Sequence, residues 1–266
     1  MSTPPVVVCG LAVTLYALGG RGRPRRWREA SFYAGVASVF IVLEPPFDNW
    51  ADTSFALHMV QHVVLLTVAP PLLVLGRPWP RLWLAFPLPA RRAVTRALAG
   101  SRTFRAVGRT VSRPAVAFAL MTAALAVWHV PALYDTAVRN EGVHILEHVC
   151  FLGTALLFWG ALLEAPPVRA RTDDLHRAAW FGAALVPGWI LALVLAYAST
   201  PLYGAYASLA HRAGGLSAMA DQQLAAGVMW VPGSITFLAA GIYFFYRWLE
   251  PATAPIEPRP EELSWT

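Results

Sequence analysis

The sequence predicts an all-α polytopic membrane protein, a bundle of seven transmembrane helices with an interfacial cytoplasmic helix. Three observations predict it. Of 266 residues, 57% are hydrophobic and only 14% charged, with a mean hydropathy of +0.50, whereas soluble domains are about a quarter charged. Apolar runs of membrane-crossing length recur seven times, at roughly 4–20, 29–43, 54–76, 114–130, 143–163, 178–199 and 222–249. The basic residues, all arginine, fall in alternate connections between those runs.

The opening MSTPPVVVCGLAVTLYALGG has no basic stretch before its apolar run, so it reads as a first short span and not a signal peptide. RGRPRRWR follows and leads into the second run. The third carries Pro70 and Pro71, the sixth Pro187 and the seventh Pro232, each expected to kink or unwind its helix. Between the third and fourth runs, PARRAVTRALAGSRTFRAVGR sets Val94, Leu98 and Phe104 among arginines. That spacing suits a helix anchored on an anionic leaflet. The fourth run ends in WHVPALYD, where Pro131 stops it, and the fifth begins with HILEH. Residues 1–250 therefore form one transmembrane domain, and the Pro-rich 251–266, PATAPIEPRPEELSWT, reads as a disordered cytoplasmic tail.

Five arginines lie in the first connection, nine in 76–114, three between the fifth and sixth runs (Arg169, Arg171, Arg177), and Arg247 and Arg259 close the chain. Nineteen of twenty-one thus fall on one side; the other side holds Arg139 and Arg212 among acidic residues. The positive-inside rule then puts the N-terminus outside and the C-terminus in the cytoplasm. The net charge of +6 reads as anchoring to the lipid bilayer, and no basic, aromatic-interleaved patch points to nucleic acid. Cys9 and Cys150 are isolated, without a CxxC pair, and read as buried small side chains.

This topology gathers histidines. His58 and His62, in LHMVQHVVLL, open the third helix, His129 ends the fourth, and His144 and His148 open the fifth, all at the outer boundary. Asp221, Gln222 and Gln223 open the seventh at the same level. Residues four apart share a helix face, about 5–6 Å apart at Cβ, which lets two imidazoles converge on one ion. The two pairs predict either one four-nitrogen site or two of lower coordination. Imidazole suits zinc, copper, iron and nickel. Met59 and Met229 are candidate thioether neighbours, and Glu147, Asp221 and Gln222 candidate outer-shell partners.

The plainer readings stand beside this one. A histidine at a helix end often bonds a carbonyl or carboxylate, as expected for His211 and equally open for His129. Trp50, Trp128, Tyr134, Tyr203 and Tyr206 suit interfacial anchors. HILEH also fits the H-x-x-E-H zinc-peptidase pattern, with Glu147 as general base. A membrane haem-binding or electron-transfer protein with axial histidines is a further alternative.

Four segments together resemble a known family. LHMVQHVVLLTVAPPLLVLGRPW, WHVPALYDTAVRN, HILEHVCFLGTALLFWGALL and DQQLAAGVMWVPG, in that order, resemble the CtaG-like assembly factors of caa-type cytochrome c oxidase. The resemblance implies a multi-pass protein of the bacterial plasma membrane, non-enzymatic, needed to mature the oxidase. It further implies copper delivery to an oxidase subunit during assembly, with His58, His62, His129, His144, His148 and Asp221 as the functional positions. Lack of a CxxC pair argues against a thiol relay.

Overall fold

A computed structural model describes residues 4–20, 26–164 and 172–250. Among the described residues every regular element is a helix. Seven form the body: α1 Pro4–Leu18, α2 Arg26–Leu43, α3 Phe55–Leu75, α4 Pro114–Trp128, α5 Glu141–Leu162, α6 Asp174–Tyr197 and α7 Ala218–Leu249. The tail expected at 251–266 lies outside the described residues, as do Arg21, Arg23, Arg25, Arg169, Arg171 and Arg259.

Four helices, α3, α5, α6 and α7, are each long and apolar enough to cross a membrane. A fifth crossing arises if α4 is joined to the helix Arg102–Val111, from which it bends by 77°. The expectation of seven spans is therefore corrected, for local reasons. α1 has 15 residues, about 22 Å at 1.5 Å per residue, short of a hydrocarbon core of about 30 Å. α2 spends its start on Arg26, Arg28 and Glu29. α4 also has 15 residues, opened by Pro114 and closed at His129. The expected interfacial helix is instead three short ones, Pro78–Ala85, Leu88–Gly100 and Arg102–Val111, with Val94, Leu98 and Phe104 exposed.

The prolines act unevenly. α6 and α7 continue as helices through Pro187 and Pro232, whereas α3 takes a π turn at Val64–Val68 just before Pro70. Pro70 has no N–H to give the carbonyl of Leu66. That carbonyl accepts instead from the Trp159 Nε1–H of α5, at 3.1 Å. Trp159 in turn stacks on Phe237 of α7 (centroids 5.3 Å, 8° between planes), so one indole joins three helices.

At one end of the bundle three helices begin with side-chain caps. Ser54 Oγ accepts from the Leu57 N–H of α3, Asn140 Oδ1 from Val143 of α5, and Ser217 Oγ from Ala220 of α7. This end carries the histidines.

Candidate metal centre

His58 and His62 stand one turn apart on the first half of α3, 2% and 0% exposed, facing α5. Their Nε2 atoms are 2.9 Å apart. Two metal–nitrogen bonds of about 2.0–2.1 Å spanning that gap would meet near a right angle.

The partners of the other ring nitrogens set the tautomers. Tyr206 donates its O–H to the carbonyl of Ala51 at 2.9 Å, so its oxygen accepts Nδ1–H of His58 at 2.7 Å. His129, at the end of α4, donates Nδ1–H to the carbonyl of Leu125 at 2.8 Å. In both rings Nε2 is thereby left as a lone pair. A ligating histidine is commonly oriented in this way, by a hydrogen bond from its other nitrogen.

His144 and His148 close the centre from the first turns of α5. Ring centroids lie 4.2 Å apart between these two, 5.0 Å from His144 to His58, 5.5 Å from His148 to His62 and 5.6 Å from His62 to His129. Glu147, between them in sequence, is fully buried and puts Oε1 3.7 Å from His62 Nε2. The structure thus brings together all five predicted histidines and Glu147.

What this cluster lacks is internal partners. Both Glu147 oxygens, Nδ1 of His62, and Nε2 of His129, His144 and His148 are buried without a hydrogen bond. Each such group costs about 1–3 kcal/mol when left unpaired. Two sets of three, His58 with His144 and His148, and His58 with His62 and Glu147, hold their ligand atoms within 4.8 Å of one another. Imidazole nitrogens with one carboxylate fit a borderline transition-metal cation.

The remaining predicted residues sit elsewhere. Asp221 lies under the start of α3, accepting from the Ser54 hydroxyl (2.8 Å) and the N–H groups of Phe55 (2.8 Å) and Ala56 (3.1 Å). It holds the helix that carries His58 and His62. Gln222 accepts from Leu202 N–H and donates to the Leu195 carbonyl, fastening α7 to the end of α6. Met59 is fully buried in the hydrophobic core, and Met229 lines an apolar cavity with Met121 and Phe237. His176 bonds Asp173 at an exposed helix start, and His211 is exposed in the loop before α7. Cys9 packs in the small cluster around Tyr16 and Phe32.

The tyrosines correct the sequence reading. Tyr134, Tyr203 and Tyr206 are 0%, 2% and 4% exposed, packed around Phe55 and the histidines instead of facing an interface. Tyr203 donates to the His129 carbonyl at 3.1 Å. Their loop is docked by Asp135, whose carboxylate accepts from Gly204 and Ala205 N–H. The spacing of Tyr203 and Tyr206, three apart on the same connection, was the available signal. Trp50, 53% exposed, fits the interfacial expectation.

Fold and site together define a helical bundle with membrane-length apolar helices and a buried imidazole–carboxylate centre at one end. Residues 2–250 match the family described as cytochrome c oxidase caa3 assembly factor (Caa3_CtaG), and the chain belongs to that family. Uncharacterised proteins of Mycobacterium bovis and Mycobacterium tuberculosis are each 26% identical over 234 residues. The match takes in 85% of this chain and 34% of theirs, so the chain spans about a third of the length of the curated relatives it matches. No solved structure matches it.

Proposed function

We propose that this assembly factor holds copper transiently in the histidine centre and passes it to a nascent cytochrome c oxidase subunit. The observation that carries the reading is the pair of overlapping ligand sets, His58 with His144 and His148 and His58 with His62 and Glu147, whose ligand atoms lie within 4.8 Å of one another. The arginine bias assigns that end to the outer face of a bacterial plasma membrane, with the N-terminus outside and the C-terminus in the cytoplasm. Neutral imidazoles hold a metal yet release it on protonation or ligand exchange, which suits a carrier better than a resident cofactor site. Copper is named from the family's oxidase; the imidazole and carboxylate donors fit zinc as well.

The alternatives find less support. An inter-helical histidine pair binding a haem axially needs nitrogens about 4 Å apart across the iron, twice a metal–nitrogen bond; His58 and His62, on one helix with Nε2 atoms 2.9 Å apart, do not supply that pair. In the peptidase reading Glu147 would face an attacking water, but it lies fully buried against His62.

The test is elemental analysis of protein purified in mild detergent, wild type against His58→Ala/His62→Ala, with oxidase activity scored in cells. The double variant is expected to lose its copper and the mature oxidase. Full copper occupancy in that variant would refute the assignment.

A further inference from the structure

The two candidate ligand triads share a residue and differ in everything around it. His58 belongs to both, yet its Nδ1 is committed to Tyr206, leaving only the Nε2 lone pair for a metal. One lone pair serves one ion at a time. The triads are thus alternative positions for a single ion, and not two sites filled together.

Their access differs. His144 and His148 line a cavity of about 410 Å³ between α1, α2 and α5, with Asp48 on its wall and the exposed Asn49 and Glu141 at its edge. His58, His62 and Glu147 are not among its lining residues, and they are 2%, 0% and 0% exposed. One triad borders open space and the other is sealed.

Their chemistry differs as well. Three neutral imidazoles leave a cation's charge intact, tolerable beside Asp48 and Glu141 at an open cavity. The sealed triad includes a carboxylate, which offsets that charge where a low dielectric makes an uncompensated one costly. Each position supplies what its surroundings require.

We propose that one copper ion moves between two stations with His58 as the pivot. It enters from the cavity onto His58, His144 and His148. It then passes to His58, His62 and Glu147 as the α5 imidazoles let go, and it leaves by the reverse exchange. Only metal–ligand bonds change: two break, two form, and the ion keeps its oxidation state. The proposal rests on the reading of copper as cargo.

The experiment uses the full chain in detergent, loaded with Cu(I). Copper content is measured, and release to excess bathocuproine disulfonate is followed by absorbance. Wild type is expected to hold one equivalent. His62→Ala/Glu147→Gln, which keeps the cavity-side station without the sealed one, should retain copper and release it at least about tenfold faster than wild type. His144→Ala/His148→Ala, with only the sealed station, should retain copper and release it at least about tenfold more slowly. Where an alanine pair does not fold by circular dichroism, His62→Asn/Glu147→Gln and His144→Gln/His148→Gln replace it. Two equivalents in wild type, equal release rates, or loss of all copper from either folded variant would overturn the pivot and leave a single undivided centre. Copper-free wild type would instead defeat the cargo reading itself.

Discussion

The two ends of the bundle treat their charges in opposite ways. At the arginine-rich end, carboxylates face arginines: Glu29 pairs with Arg81 (2.9 Å), Glu164 with Arg177, and Asp174 with both Arg177 (3.4 Å) and Arg247 (3.1 Å). At the histidine end Glu147 is sealed in with no hydrogen bond, and Asp221 is satisfied by a hydroxyl and two backbone N–H groups. At one end these acids are matched by arginines. The other leaves donors over, and leftover donors are what a cation needs.

The largest expected effect comes from breaking the buried acid that anchors the histidine helix. Asp221→Ala strips three hydrogen bonds from the start of α3, and bonds to a charged acceptor contribute about 1.5–3 kcal/mol each. Thermal unfolding in detergent should show a loss on the order of 3 kcal/mol, with weaker copper retention. An unchanged melting profile would mean that α3 does not depend on this anchor. Next is Tyr206→Phe, which leaves the His58 ring in place but unheld. Copper affinity, measured by competition with a chelator, should fall about 10–100-fold, with a stability loss of about 1–3 kcal/mol from the orphaned Ala51 carbonyl and His58 N–H.

A smaller effect is expected at the middle of the bundle. Trp159→Phe preserves the stacking surface and orphans the Leu66 carbonyl, a cost of about 1–2 kcal/mol in the same unfolding assay. Smallest is Arg247→Ala at the opposite end. Its side chain is 47% exposed, and exposed ion pairs contribute less than about 1 kcal/mol. If that change lowered stability or copper content as much as Asp221→Ala, the contrast between the two ends would not hold.

Sequence reasoning reached the histidine cluster because its signal is local. An i, i+4 pair at the start of an apolar run fixes both the face and the depth of two rings, and parity of the runs then puts His58, His62, His129, His144 and His148 at one level. It could not see that Asp221 turns to backbone N–H groups, since a carboxylate near a helix start reads the same whether it caps or supports a ligand. It misread Tyr134, Tyr203 and Tyr206, because an aromatic beside a membrane boundary has the same sequence context inside a bundle as outside one. The count of spans failed where apolar runs blurred into charged or proline-bounded ends, at α1, α2 and α4. Burial of Glu147 without a partner is a property of packing between α3 and α5, and no spacing in HILEH announces it.

The π turn at Val64–Val68 has a mechanical consequence. A residue looped out of the regular repeat offsets the azimuth of what lies above it from what lies below, by about 100° in an α-helix. The upper half of α3 is thereby free to turn its histidine rings toward α5 while packing along α7, and the lower half seats against α2 and α5. Trp159, gripping the Leu66 carbonyl, acts as the detent that holds this offset, so the bearing of the histidine face is set from across the bundle.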